Sequence, residues 1–154
     1  MFTIRVYGLL ITEDKKVLVS DEFIRGNYYT KFPGGGLEFG EGTRECLARE
    51  FMEEMNLKVT VGEHLYTTDF FQISAFDNTH QIVSIYYWVH PLEEIKVPLR
   101  DKLFDFDEIQ MEVYQKTGET ETFRFVHLDD FGKDSVSLPI DKVVAEIINS
   151  TLKK

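Results

Sequence analysis

The junction between a glycine-rich loop and an acidic helix limits this chain more than any other feature. PGGGLEFGEG, Pro33 to Gly42, places five glycines in ten positions, and TRECLAREFMEEM, Thr43 to Met55, follows at once. At about 100° per residue, Leu47, Ala48, Phe51, Met52 and Met55 share one broad apolar arc. Glu50, Glu53 and Glu54 gather opposite it, with Cys46 near them and Arg49 at the margin. The arc predicts a helix packed on a sheet. Like charges three and four residues apart cost roughly 0.2–0.5 kcal/mol per pair, so the three acids need either plain solvation or a ligand that repays them. The glycines permit unusual backbone angles and the close approach of another group to the main chain, although tight turns without a ligand use them too. The loop lacks the Lys-Ser/Thr ending and the spacing of a nucleotide-binding P-loop.

Elsewhere the patterning is coarser. FTIRVYGLLI and KVLVSDEFI read as strands around the turn TEDKK, and HLYTTDFFQI and QIVSIYYWVH read as two more. MEVYQKTGETETFRFV reads as a hairpin-like return turning at Lys116, Thr117 and Gly118. A second helix runs from about Pro139 to Leu152, with Ile140, Val143, Val144, Ile147 and Ile148 at helical spacing and Pro139 in the first turn. The charged segment Leu92 to Glu112 reads as a long loop with a short helix, or an insertion over a site.

The bounds from composition are consistent with one domain. At 154 residues with 43% hydrophobic side chains, the chain can close a sizeable core. No run of eighteen apolar residues or secretory leader is evident, which argues against a membrane span and for the cytoplasm. The single cysteine, Cys46, staples nothing internally, and no Cys/His cluster suggests zinc. A formal charge of −10 repels polyanions, which disfavours general nucleic-acid or membrane-surface binding. A small anionic substrate remains open where bound divalent cations reverse the local sign.

Loop and helix together spell a longer pattern: Gly35, five residues, Glu41, seven residues, Arg49, Glu50, Phe51, any residue, Glu53, Glu54, any residue, Asn56, Leu57. This resembles the signature of the Nudix hydrolases at every position but the penultimate, where that family has glycine and this chain has Asn56. Lys31-Phe32-Pro33-Gly34, and the late Phe123-Arg124-Phe125-Val126 with Leu128-Asp129-Asp130, also look like the family's surroundings. A glycine at position 56 would sit just past the helix in the left-handed region, and asparagine is the commonest other residue able to adopt it. The departure is therefore expected to cost a little stability and no chemistry.

The resemblance implies an α/β fold, a Nudix-like α/β/α sandwich around a central mixed β-sheet. It also implies hydrolysis of a pyrophosphate bond in a nucleoside diphosphate joined to another group, with Mg²⁺ or Mn²⁺ as cofactor. Glu50, Glu53 and Glu54 suit a hard cation that accepts carboxylate oxygens and keeps waters for a substrate to replace, and the resemblance adds the Gly34 carbonyl. Glu41 and Arg49 are expected to pair and tie loop to helix. The water's proton goes to Glu50, Glu53 or a later acid, Glu112, Glu119 or Glu121. Arg5, Arg25, Lys31 and Gly35 are the substrate-binding candidates. Tyr28, Tyr29, Phe70, Phe71 and Phe76 could stack a base, but as core aromatics they need no such role. QISAFDNTH, after the signature, carries none of the marks of the family's substrate subgroups. A nucleotide-sugar sensor without turnover and an acidic structural protein binding Ca²⁺ loosely are the competing readings. A homodimer is common in the family.

Overall fold

The computed structural model describes residues 1–153. In chain order the elements are β1 (Phe2–Leu9), β2 (Lys16–Ile24), β3 (Asn27–Lys31), β4 (Gly34–Gly36), α1 (Thr43–Met55), β5 (Val59–Thr67) and β6 (Gln81–Pro91). Then come β7 (Leu99–Arg100), α2 (Glu108–Thr117), β8 (Glu119–His127), two 3-10 turns at Leu128–Asp130 and Lys133–Ser135, and α3 (Pro139–Leu152). The chain divides into two compact units, one of Met1–Ile11 with Pro33–Lys96, the other of Thr12–Phe32 with the residues from Val97 onward.

The first unit holds a four-stranded sheet in the order β4-β1-β6-β5. β1 runs antiparallel to β4 and parallel to β6, so the sheet is mixed. Alternation along β1 sends Val6 and Gly8 to one face and Arg5 and Tyr7 to the other. α1 covers the first of these faces. Phe51 sits over Gly8, where an added Cβ would lie 2.7 Å from its ring. Leu47, Phe51 and Met55 are buried as the helical spacing requires. Met52 is 40% exposed, and Cys46 is fully buried in its place. The packed stripe is thus rotated from the wheel expectation, because the helix lies over glycines on its Cys46 side and leaves Met52 at the outer edge. Asn56 ends α1 in the left-handed region, φ 48° and ψ 43°, with its N–H bonded back to the carbonyls of Met52 and Phe51. The conformational role expected of it is observed.

The second unit holds a sheet in the order β3-β2-β8-β7. β2 pairs antiparallel with both β3 and β8, while β7 pairs parallel with β8. Ile140, Val144, Ala145 and Ile148 bury one face of α3. Asp21, fully buried, is the polar anchor of the unit. It accepts from Arg124 Nε at 2.6 Å and Nη2 at 3.2 Å, from Thr30 Oγ1 at 2.7 Å and from the Phe104 N–H at 3.1 Å. Four donors around one carboxylate satisfy its lone pairs, which makes burial of the charge tolerable.

Two expectations about secondary structure are corrected here. Residues 108–117 form α2 and not a hairpin arm. Asp107 caps the helix by accepting from the Gln110 N–H at 2.8 Å, and the Gln110 side chain returns the bond to the Asp107 N–H at 2.9 Å. This reciprocal capping box decides the local structure. Gly118, read as a turn residue, is the helix C-cap at φ 79°. Likewise HLYTTDFFQI is strand only as far as Thr67, since β5 carries two register shifts against β6 and then breaks into an irregular segment. There Phe70, Phe71 and Phe76 are exposed, as is Tyr28 in the second unit. These four are not core aromatics.

Candidate active site

Every signature residue falls in the first unit, and the geometry joins the glycine loop to α1 through one guanidinium. Arg49 takes the Glu41 carboxylate in two-point fashion, Nε to Oε2 at 2.9 Å and Nη2 to Oε1 at 2.7 Å. The same Nη2 donates to the Gly36 carbonyl at 3.2 Å, and Nη1 donates to Glu50 at 3.0 Å and Glu53 at 3.1 Å. Planar, always charged and rich in donors, arginine is suited to hold several acceptors at fixed angles. The expected pairing of Glu41 with Arg49 is present. It extends to both Glu50 and Glu53, which the spacing alone did not show.

The electrostatics follow from that network. The Arg49 hydrogen bond, helped by the Glu38 N–H, holds the Glu41 carboxyl far below the ordinary carboxylate range, at about 2. In return Glu41 pushes the Arg49 pKa upward. Cys46, lying within 3.5 Å of the Gly36 carbonyl, has its thiol driven up to about 12, first by burial and then by the Glu41 charge. It is a packing residue here and not a nucleophile.

Two glycines show why the loop has its composition. At Gly34 φ is +151°, and a side chain there would run into the backbone of Val6 and Tyr7. At Gly35 an added Cβ would stand 2.5–2.6 Å from the two carboxylate oxygens of Glu50. The close approach expected of the loop is therefore made, in part, by one of its own acids. Glu50 is only 13% exposed, wedged between Gly35 and Arg49, whereas Glu53 is 58% exposed.

The donor set fits a hard divalent cation. Glu38, Glu41, Glu50, Glu53 and Glu54 bring five carboxylates to this loop and helix, and Arg49 pairs with the first four. Glu50, Glu53 and Glu54 share oxygen chemistry with the ligands that Mg²⁺ and Mn²⁺ accept. Glu50 and Glu53 are turned toward Arg49, and among the described residues no three acidic, imidazole or thiol side chains converge on a single point.

The other candidates are placed as follows. Arg5, on the face of β1 that α1 does not cover, donates from Nε to the Tyr7 hydroxyl at 2.6 Å, and its Nη1 lies beside Gly36. Arg25 occupies the β2–β3 turn at φ 46°, exposed, with its N–H bonded to the Gly118 carbonyl. Lys31 is buried, its ammonium 3.2 Å from Glu22. Glu112 lies on the exposed side of α2 and Glu119 opens β8.

One cluster escaped the sequence reading. Glu22 and Glu121 stand directly opposite each other on β2 and β8, and the Ser20 hydroxyl lies 3.3 Å from the first and 3.2 Å from the second. Facing like charges destabilise a strand pair, and Lys31 offsets one of them. In the sequence Ser20, Asp21 and Glu22 form an unbroken polar run inside β2, with Ser20 and Glu22 on one face of the strand.

The family model described as NUDIX domain matches residues 1–147. The MutT protein from Methanosarcina mazei Go1 superposes with a TM-score of 0.66 at 18% identity, covering 99% of this chain and 96% of that one. A MutT NUDIX hydrolase from Burkholderia pseudomallei gives 0.65 at 17% identity, with 95% and 97% covered. A UDP-X diphosphatase gives 0.61 at 20% identity, with 97% of this chain and 60% of that one covered. At these identities the superpositions speak for the fold, α/β with mixed sheets and three helices, and the α/β class is the one the signature implied. With the family model spanning nearly the whole chain, the chain belongs to the NUDIX domain family and is a Nudix-type hydrolase acting on phosphoanhydride bonds.

Proposed function

We propose that this protein hydrolyses the pyrophosphate linkage of a nucleoside diphosphate derivative with Mg²⁺, or Mn²⁺ in its place. The observation that carries this reading is the way Arg49 fastens Glu41, Gly36, Glu50 and Glu53 into one assembly. Glu50, Glu53 and Glu54, with the Gly34 carbonyl, are the residues assigned to the cation. When bound, the cation lowers the pKa of a water and neutralises the bridging phosphates.

The chain's own residues then have distinct tasks. Glu41 and Arg49 are positioning residues that keep the loop against α1. Gly35 leaves room for the Glu50 carboxylate, so that Glu50 meets the site from a fixed direction. The water's proton passes to Glu50 or Glu53, the two carboxylates of α1 that Arg49 holds. Arg5, beside Gly36 in the first unit, is assigned to the anionic substrate.

Similarity to proteins described as a UDP-X diphosphatase and an ADP-ribose pyrophosphatase supports testing nucleotide sugars and ADP-ribose first. The test is release of nucleoside monophosphate or phosphate from those compounds, dinucleoside polyphosphates and nucleoside triphosphates, with and without Mg²⁺. Metal-dependent turnover of one class names the substrate. Tight nucleotide binding with no turnover in any class would replace this reading with that of a sensor.

A further inference from the structure

In the first unit, α1 covers only part of the sheet face on which it packs. Phe2, Ile4, Val6 and Gly8 share that face of β1 by alternation. Val6 is fully buried and Gly8 lies under Phe51, whereas Ile4 is 39% and Phe2 68% exposed. The uncovered part continues across the sheet. Phe2 stands opposite Gln81 of β6, and Gln81 pairs on its other edge with Ile73, which is 42% exposed. The Gln72 carbonyl accepts the Ile82 N–H at 2.8 Å, and Phe71, the residue before it, is 69% exposed. We infer that a second copy of the chain docks on this face, the two copies meeting about a two-fold axis so that the same patch serves both.

Charge decides the kind of partner. Phe70 to Phe76, FFQISAF, carries no ionisable side chain, and neither does the stretch from Phe2 to Ile4, in a chain of formal charge −10. The two acids that bound the first stretch are already matched inside the chain. Asp69 accepts from the Tyr66 hydroxyl at 2.9 Å. Asp77 accepts from the Thr79 N–H at 2.9 Å and hydroxyl at 2.6 Å, and lies 3.3 Å from His80 Nε2. The other ring nitrogen of His80 is 2.7 Å from the Thr3 hydroxyl, which ties the segment to β1. A basic or acidic partner therefore finds little here to pair with. Two copies of the patch can close on each other without desolvating a charge, and depletion of charge is what marks the core of an interface.

The area is of the size such an interface needs. A phenylalanine presents about 150–250 Å². Phe70 and Phe76, 39% and 40% exposed, belong to the same segment as Phe71. With Phe2 and Phe71 they leave roughly 320–540 Å² of ring surface open to water, before Ile4 and Ile73 are added. A stable interface takes about 800 Å² from each partner, and about 65% of a homodimer interface is apolar, which is on the order of 500 Å².

The test is sedimentation of the full chain from low micromolar to submillimolar concentration, at low salt and at high salt. The wild type is expected to reach the mass of a dimer, and salt should tighten the association, because it screens the repulsion between two acidic chains and leaves the apolar contact intact. The double variant F2S/F71S should raise the dissociation constant at least about tenfold with an unchanged circular dichroism spectrum. I109S, which removes a 72% exposed apolar side chain from the second unit, should leave the dimer as it is. A wild type that stays monomeric throughout, or a dimer that salt dissociates, would overturn the proposal without recourse to any variant. So would a dimer that survives in F2S/F71S, or one that I109S weakens equally. A monomer that sediments with phosphatidylcholine vesicles would overturn it as well, and would assign the face to a lipid surface.

Discussion

Arg49 and Glu41, eight residues apart, meet through two nitrogen–oxygen contacts of 2.9 and 2.7 Å, and this pair closes the glycine loop onto α1. The remaining guanidinium nitrogen reaches Glu50 and Glu53, so the tie between loop and helix also sets two of the acids assigned to the cation. Replacing Arg49 with glutamine should therefore lower metal-dependent activity by about 10–100-fold, the usual effect of removing a partner that orients metal ligands. Lysine should rescue little, because it cannot make the forked contact. The measurement is kcat and the Mg²⁺ concentration for half-maximal rate, both of which a purely structural defect would move less than the melting temperature.

The same pair gives the acid limb of stability a defined origin. Glu41 has a folded-state pKa of about 2 against an ordinary value of 4.5. A depressed carboxyl stabilises the fold fully above 4.5, and that contribution is lost as pH falls toward 2. Glu41→Gln should flatten the dependence of unfolding midpoint on pH across this window and leave the slope above pH 5 unchanged. An unaltered acid limb would remove Glu41 from the account.

Gly35→Ala tests the close approach of loop and helix. The new Cβ must displace the Glu50 carboxylate, whose oxygens stand 2.5–2.6 Å from its position. A displacement of that size should reduce kcat/KM on the order of 10²-fold with the circular dichroism spectrum intact. Activity within a factor of two of wild type would show that Glu50 need not occupy this place.

Asn56 supplies a check that separates fold from chemistry. In its left-handed conformation, φ 48°, alanine should cost about 1 kcal/mol, while glycine should be neutral or stabilising by a few tenths. Denaturant midpoints read the first effect. Hydrolytic rates below the unfolding transition should be the same in all three proteins.

Asp21 anchors the second unit, and its replacement should be far more damaging. Asp21→Ala strands the Arg124 guanidinium, which is only 11% exposed, together with the Thr30 hydroxyl and the Phe104 N–H. Breaking a buried pair from one side costs about 3–5 kcal/mol. Urea unfolding of Asp21→Ala beside the double variant with Arg124→Met separates the stranded charge from the lost pair, since the double variant should recover part of the loss.

What the sequence disclosed and what it hid divide along the range of the interactions. The bounds of α1 and α3 were readable because a helix start and stop are local events: Thr43 after a glycine, Asn56 in the left-handed region, Pro139 in a first turn. The signature likewise lies in one continuous stretch, and its main ion pair spans eight residues. α2 was misread because strand-like alternation in MEVYQ competed with the Asp107–Gln110 capping box, and the box won. The Asp21–Arg124 pair and the Ser20–Glu121 contact span 103 and 101 residues. Pairings at that distance depend on strand register, which no local pattern carries.

The central claim is that the acidic face of α1 takes a divalent cation to drive hydrolysis, and the most direct measurement is Mg²⁺ titration of turnover in the wild type beside Glu53→Gln and Glu54→Gln, using whichever nucleoside diphosphate derivative the panel identifies. The account expects no turnover without metal, saturation in the wild type, and in both variants a rise in the Mg²⁺ needed together with a rate lowered by about tenfold or more. Turnover that persists in a chelator, or variants whose Mg²⁺ dependence matches the wild type, would contradict it.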